Sequence, residues 1–320
     1  MKKRQLGNTD LHIPPLTFGG NVFGWTADKK MSFKLLDGLF ERGLNFIDTA
    51  NVYSRWVEGN SGGESESIIG EWMKERGNRD KMIIATKVGM DVGQGQIDLS
   101  PEHIKEQLDK SLKRLQTDYI DIYFSHKDDD GTPIAQTLGT YNEAIDQGKI
   151  RYIGASNFPL ARLRESITIS EEKKLPRYEV YQPEYNMMKR DGFEGDVQKF
   201  CLKHNLSVIN YFTLASGFLT GKYRSKEDTE GRERAGYVST FFNERGKNVL
   251  KALDEVSKAQ GISQAGVALA WTMAQPGITS PIASATKPEH LKSFDEALNT
   301  ELTNDQLEML DEASKAIEAN

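Results

Sequence analysis

With 320 residues, a net charge of −6 and a pI near 5.6, the chain is acidic and long for one average domain. That length still suits a single strand-and-helix barrel able to bury roughly three quarters of its unfolded surface, and the charge argues against a nucleic-acid partner, which calls for a basic face. The single cysteine, Cys201, excludes an internal disulfide and points to a reducing compartment. The spacing around it predicts a plain buried thiol.

The basic opening, Met1 to Arg4, runs into Gly7-Asn8-Thr9-Asp10 where a signal peptide needs an apolar stretch, so a cytoplasmic location is expected. Lys3–Pro15 reads as a small hairpin turning at Gly7-Asn8. Strands are then predicted at Leu16–Gly20, Asn45–Ala50, Met82–Lys87, Ile120–His126, Ile150–Ser156, Glu179–Gln182, Ser207–Tyr211 and Thr279–Ser284. Helical patterns fill the gaps. Lys34–Arg42 carries Leu35, Leu36, Leu39 and Phe40 at helical spacing. Ser100-Pro101 opens a helix to Leu115, Ser as cap and Pro at the first position. Ile134–Gln147 stops at Gly148. The polar, Gly-containing stretch Phe218–Thr240 reads as a long, mobile loop. Helices follow at Glu244–Gln260 and Ser263–Gln275, and a last one begins at Thr303. No run of about 18 apolar residues occurs, so no membrane span is predicted.

Alternating strands and helices predict an α/β fold: a (β/α)8 TIM barrel spanning residues 1–320 as one domain, with the N-terminal hairpin beneath it and extra C-terminal helices. Barrel sites lie at the C-terminal ends of the strands. Those ends are polar here: Asp48, Lys87, His126, Ser156 with Asn157, Gln182, Tyr211 and Ser284, with Tyr53 on the loop after Asp48. Each has a bland alternative: a helix cap for Asp48, a solvated Lys87, a structural His126. Their convergence on one end favours a pocket.

The chemistry of such a set is proton transfer at an alcohol or carbonyl oxygen. A phenol is a weak acid at neutral pH, and a neighbouring ammonium favours phenolate. Lys87 is expected to supply that charge, Asp48 to orient Lys87, and His126 to hold the substrate oxygen. The five histidines show no metal-binding spacing, so no metal is expected. Two Gly-rich stretches fail as nucleotide motifs: Gly93-Gln94-Gly95 lacks a third glycine, and Gly217 to Tyr223 has Tyr where a P-loop needs Ser or Thr.

Phe46-Ile47-Asp48-Thr49-Ala50-Asn51-Val52-Tyr53, Gly63-Glu64-Ser65-Glu66, Ala85-Thr86-Lys87-Val88, the run Leu115–Tyr123 leading to His126, and Gly148–Phe158 together resemble the aldo-keto reductase superfamily, over essentially the whole chain. The resemblance implies a catalytic tetrad of Asp48, Tyr53, Lys87 and His126, and a small-molecule carbonyl or alcohol substrate. It also implies NADP(H) as preferred cofactor, with NAD(H) possible. Ser156, Asn157 and Gln182 would take the carboxamide, and Tyr211 would stack on the nicotinamide. Leu214, Ser216 and Lys222 would follow the pyrophosphate. Gly20 and Asn21 after the first strand, with Ser284, Thr286, Lys287 and His290 after the last, complete the cofactor set. Two departures concern the cofactor end: Tyr211-Phe212-Thr213-Leu214 replaces the family's Tyr-Ser-Pro-Leu, and no arginine stands in Ala283–Phe294.

Three functions stay open at this point. They are a carbonyl reductase, a cofactor-binding redox-sensing subunit with slow turnover, and a metal-dependent isomerase that lacks ligand clusters. Trp25 and Trp56 either wall the pocket or pack on the surface. Lys127 to Asp130 is either a charged rim hinting at sugar-like substrates or a solvated turn. The oligomeric state is unreadable.

Overall fold

The computed structural model describes residues 1–231 and 233–315. A hairpin of β1 (Arg4–Gln5) and β2 (His12–Ile13) comes first. Then come β3 (Thr17–Gly19), β4 (Phe46–Asp48), β5 (Ile83–Val88), β6 (Ile120–Ser125), β7 (Ile150–Ser156), β8 (Tyr178–Gln182), β9 (Ser207–Val208) and β10 (Ile282–Ala283). These eight run parallel in the order β10-β3-β4-β5-β6-β7-β8-β9. The two ends of that order also meet. Val208 bridges Ile278, the Thr279 N–H donates to the Val208 carbonyl at 2.8 Å, and the Ile282 N–H donates to the Asn210 carbonyl at 2.8 Å. The sheet is therefore a closed (β/α)8 barrel.

Helices α1 (Lys29–Glu41), α2 (Glu64–Arg76), α3 (Pro101–Leu115), α4 (Ile134–Asp146), α5 (Leu160–Lys173) and α6 (Asp196–Lys203) connect β3 through β9. The connection from β9 to β10 holds the short α7 (Ala235–Val238), then α8 (Glu244–Gln260) and α9 (Gln264–Ala274). After β10 come α10 (Lys292–Leu298) and α11 (Asn304–Ser314). Caps set the boundaries. The Asp28 carboxylate accepts from the Met31 N–H, so α1 starts earlier than the apolar spacing from Lys34 predicts. Ser100 and Pro101 open α3 as expected, and Thr303 with Gln306 forms a capping box on α11.

Side chains alternate across each strand. Phe46, Ala85, Ile122, Phe124, Val180 and Ile209 point inward and meet Leu6, Leu11 and Ile13 of the hairpin, which closes the barrel floor. Ile47, Ile84 and Tyr123 point outward among Leu36, Trp72 and Leu108 of the helices. Phe46 and Ala85 facing inward means that Asp48 and Lys87, two positions on, face inward too, while Thr49 and Thr86 face the helices.

Two expectations change. The strands predicted as Ser207–Tyr211 and Thr279–Ser284 pair regularly over only two residues each, because their upper ends splay into loops; Tyr211 bridges Glu184 instead. The stretch Phe218–Thr240 is not an open polar loop among its described residues. It is built from short helical turns, with Phe218, Leu219, Tyr223 and Val238 buried.

Packing of α2 on α3 leaves no room at Gly70, where a Cβ would stand 2.2 Å from the Arg114 carbonyl oxygen and 2.6 Å from the Leu115 carbonyl carbon. Gly70→Ala is expected to push the helices apart and cost roughly 1–3 kcal/mol of stability, the usual range for overpacking. A denaturation curve measures it; an unchanged midpoint would mean that α2 slides freely on α3.

Candidate active site

The inward-facing residues at the top of β4 and β5 are the carboxylate Asp48 and the ammonium Lys87, both buried. Lys87 Nζ donates to Asp48 Oδ2 at 2.6 Å, to the Thr49 carbonyl at 2.9 Å and to Tyr53 Oη at 2.8 Å. Tyr53 Oη lies 3.4 Å from Asp48 Oδ2. The loop that carries Tyr53 is fixed by its own turn, with the Tyr53 N–H on the Ala50 carbonyl at 3.2 Å. Ser54 follows with a left-handed φ of 71° and its hydroxyl on the Phe23 carbonyl at 2.7 Å. His126 stands just past β6, its N–H on the Val88 carbonyl at 2.8 Å and its ring 6.0 Å from that of Tyr53. The four predicted residues thus meet in one place.

Burial pushes the Tyr53 phenol well above its ordinary pKa, and the Asp48 carboxylate adds to the effect. This reverses the expectation that Lys87 would lower it: in the ligand-free site desolvation outweighs the ammonium, and the phenol holds its proton. Burial also draws the Lys87 ammonium below its ordinary value, against the pull of Asp48. His126 is held well below the usual imidazole pKa by burial and then by Lys87, so its ring is neutral. Its Nδ1 is buried without a hydrogen-bond partner among the described residues. A proton there would be an unsatisfied donor, so the favoured tautomer carries its proton on Nε2. The site therefore offers two neutral donors, a phenol and an imidazole, with an ammonium behind the phenol. That is equipment for protonating a carbonyl oxygen or deprotonating an alcohol. Among the described residues no group of three His, Cys, Asp or Glu side chains is placed to hold a metal ion.

These residues open into a cavity of about 900 Å³ that runs from Tyr53 and His126, past the ends of β7 and β8, to the loops after β9 and β10. Asn21, Ser156, Asn157, Gln182, Tyr211, Leu214, Ser216, Lys222, Ser284, Thr286 and His290 all line it. Gly20 and Lys287 do not: the Gly20 carbonyl accepts from Ser65 at 2.8 Å, and Lys287 is exposed beside the cavity. Gln182 donates to Asp48 Oδ1 at 3.0 Å, and the Tyr211 hydroxyl donates to Asn157 Oδ1 at 2.7 Å. The far end of the cavity is lined by Ser216, Gly217 and Lys222. Ala215, Ser216 and Gly217 are left-handed in succession, with φ of 46°, 56° and 98°; the Ala215 N–H is held by the Phe212 carbonyl at 2.7 Å and the Gly217 N–H by the Leu214 carbonyl at 2.8 Å. The φ of 98° at Gly217 favours glycine, and Lys222 Nζ lies over the turn, 3.1 Å from where a Cβ would stand.

Several residues have roles in the structure that the sequence does not reveal. Thr213 stands where the family has proline, and its hydroxyl joins the Ile282 carbonyl at 2.8 Å and the Asn210 amide at 3.1 Å, tying the end of β9 to β10. Phe212 adopts a left-handed φ of 56° and is 39% exposed in the cavity wall. Arg234 also lines the cavity, over the Trp25 ring at 5.1 Å. Trp56 walls the cavity, whereas Trp25 backs it edge-on at 5.4 Å. Half of the rim at Lys127–Asp130 is structural: Asp128 pairs with Arg162 at 2.9 Å, and Asp129 accepts from Leu99 and Thr132, while Lys127 and Asp130 are exposed.

The family model described as "Aldo/keto reductase family" matches residues 15–315. An uncharacterized oxidoreductase of Bacillus subtilis, YrpG, is 33% identical over 98% of this chain and 95% of its own. An aryl-alcohol dehydrogenase [NADP(+)] of Phanerodontia chrysosporium is 31% identical over 97% and 85%. An L-glyceraldehyde 3-phosphate reductase of Escherichia coli is 30% identical over 93% and 88%.

Removing one member of a buried ion pair strands the other. Lys87→Met is expected to lose stability by about 3–5 kcal/mol as well as activity, because Asp48 is left as an uncompensated buried carboxylate. Adding Asp48→Asn should restore much of the stability and none of the turnover. Denaturation and rate assays on both variants check this; equal stability of the single and double variants would contradict it.

Proposed function

The chain belongs to the aldo/keto reductase family, and from that membership we propose that it reduces aldehyde, ketone or sugar-like carbonyls to alcohols, reversibly, with NADPH and with Tyr53 as the proton donor. The observation that carries the reading is the hydrogen-bonded set Asp48–Lys87–Tyr53 beside a neutral His126 at the floor of a dinucleotide-sized cavity.

The nicotinamide, when bound, supplies the hydride. Ser156, Asn157 and Gln182 would hold its carboxamide, Tyr211 would back its ring, and Lys222 with the turn at Ser216 would hold the phosphates. The protein's own part is the proton. His126 Nε2 and the Tyr53 hydroxyl donate to the substrate oxygen and polarise it. As negative charge grows there, the Tyr53 proton moves to that oxygen, and the phenolate left behind keeps its 2.8 Å contact with the Lys87 ammonium. Asp48 holds Lys87 in place at 2.6 Å. The charged form of the tyrosine is disfavoured before reaction by burial, which keeps the acid loaded.

Tyr53→Phe is expected to keep cofactor binding and lose turnover by ~10²–10⁴-fold, the usual contribution of general acid catalysis. Fluorescence titration and a carbonyl panel measure the two. Activity within a factor of a few of wild type would remove Tyr53 as the donor. A wild type that binds cofactor tightly yet turns over nothing would favour a redox-sensing subunit instead.

The pocket mouth favours apolar, planar carbonyls within that class. Trp56 is 51% exposed, its ring 6.1 Å from that of Tyr53, and Phe212 and Met90 complete an apolar wall. With Asp128 committed to Arg162 and Asp129 to Leu99 and Thr132, half of the rim's charges are taken up by the fold. Trp56→Ala should raise KM for a benzaldehyde-type substrate by about tenfold or more, worth the ~1.4 kcal/mol of an aromatic contact, and leave glyceraldehyde nearly unchanged. Equal effects on both would refute the wall's selectivity.

Cofactor choice is proposed to lean modestly towards NADPH, since His290 in the cavity wall and Lys287 beside it are weaker partners for a 2′-phosphate than an arginine fork. Burial, helped by Lys222 and Lys287, lowers the pKa of His290 below the ordinary imidazole value. His290 is therefore neutral at pH 7, and protonation, which attracts the phosphate, comes only under acid conditions. The ratio of kcat/KM for NADPH over NADH should stay level between about pH 7 and 8 and rise only below the ordinary imidazole pKa of about 6.5. A rise that is complete by pH 7, or one that survives His290→Ala, would contradict this.

A further inference from the structure

The motif Gly63-Glu64-Ser65-Glu66 lies outside the cavity, yet its two last residues touch the strands that carry the reacting groups. Both sit in the first turn of α2 and both are fully buried. Ser65 Oγ accepts from the Thr49 hydroxyl at 2.8 Å and donates to the Gly20 carbonyl at 2.8 Å. Glu66 Oε1 accepts from the Thr86 hydroxyl at 2.5 Å, and Glu66 Oε2 accepts from Arg114 Nε at 2.6 Å. Thr49 follows Asp48, and Thr86 precedes Lys87. Because strands alternate, the residue beside an inward group is the one that faces the helices. Each bond therefore holds the back of a strand at the position next to a catalytic side chain.

We propose that Ser65 and Glu66 act as a template that sets the Asp48–Lys87 register from outside the barrel, and are positioning residues for proton transfer by Tyr53. The proposal rests on the reading of Tyr53 as the acid. The geometry makes α2 a rigid carrier for the template. A Cβ on Gly63 would stand 2.3 Å from Arg114 Nε, so the guanidinium lies tight against the helix start, and its other partner is Ser111 Oγ at 3.2 Å on α3. Ser65 and Glu66 are thus fixed against α3 while they grip β4 and β5. The two strands are neighbours, with Asp48 opposite Ala85 in the register, so the inward Lys87 is one inward position above Asp48's partner. A small slip of either strand lengthens the 2.6 Å contact from Lys87 to Asp48 and the 2.8 Å contact from Lys87 to Tyr53 together. Proton transfer depends on such distances steeply, since misplacement of about 1 Å costs on the order of 10²-fold in rate.

The charge of Glu66 gives a second, independent signature. Lys87 is faced by Asp48 from β4, Tyr53 from the following loop, His126 from the end of β6 and Glu66 from α2. Glu66 helps to keep Lys87 protonated, so its removal makes the ammonium lose its proton at a lower pH.

The test compares Thr86→Val, which keeps the shape and loses the hydroxyl, with Thr86→Ser, which keeps the hydroxyl and loses a methyl group. The readouts are kcat for a turned-over aldehyde, the cofactor Kd by fluorescence titration, and the melting temperature. Thr86→Val is expected to lower kcat by about tenfold or more with cofactor Kd unchanged, and Thr86→Ser to restore most of the rate. Glu66→Gln, if it folds, should move the alkaline limb of the kcat profile to lower pH, which a purely structural role would not do. Equal rates for Thr86→Val and Thr86→Ser, or losses in kcat that merely follow losses in melting temperature, would overturn the template while leaving the Tyr53 reading intact. A wild type without carbonyl reduction would overturn that reading and the template with it.

Discussion

A lysine ammonium with no surface in contact with solvent has to be matched by protein, and the upper half of this barrel is organised around matching Lys87. Asp48 supplies the countercharge, the Thr49 carbonyl a second acceptor and Tyr53 a third. With those three the ammonium's donors are all used. The same burial that makes the pair costly to break keeps the phenol protonated and the imidazole of His126 neutral. One constraint, desolvation at the bottom of a deep cavity, thus keeps both proton donors, Tyr53 and His126, in their neutral forms.

The fold was legible in the sequence because its signals are local. Eight apolar runs separated by capped helices require a parallel sheet with helices outside it, and the hairpin's Leu6, Leu11 and Ile13 find the barrel floor that the strands leave open. The convergence of Asp48, Lys87, Tyr53 and His126 was legible for a related reason. Strand alternation and chain direction place Asp48, Lys87 and His126 at one end of one barrel, so their types and positions sufficed to bring them together. The order of pKa effects was not legible. A count of nearby charges favours a lowered phenol pKa, and only the depth of burial reverses it.

What escaped sequence reasoning depends on backbone conformation or on distant partners. Ala215 and Ser216 adopt left-handed φ values that their residue types do not announce, and the turn at the far end of the cavity rests on them. Phe212 is turned into the cavity by the same kind of geometry. Asp128 could be read as a rim charge or part of a solvated turn because Arg162, its partner, lies on another element of the chain. Pairing that charge and adding Phe212 to the wall weighs, among aldehyde, ketone and sugar-like carbonyls, towards the apolar ones. Among the described residues no helix is long and apolar enough to cross a membrane.

The central claim is that the proton delivered to the carbonyl oxygen travels in the same step as the hydride, from Tyr53. The solvent deuterium isotope effect on kcat/KM, measured with protiated and with 4-deuterated nicotinamide cofactor, tests it most directly. The account predicts a normal solvent effect that is retained when the cofactor is deuterated, because both transfers share one transition state. A solvent effect of unity beside a full cofactor isotope effect would show that hydride moves without the Tyr53 proton, and would contradict it.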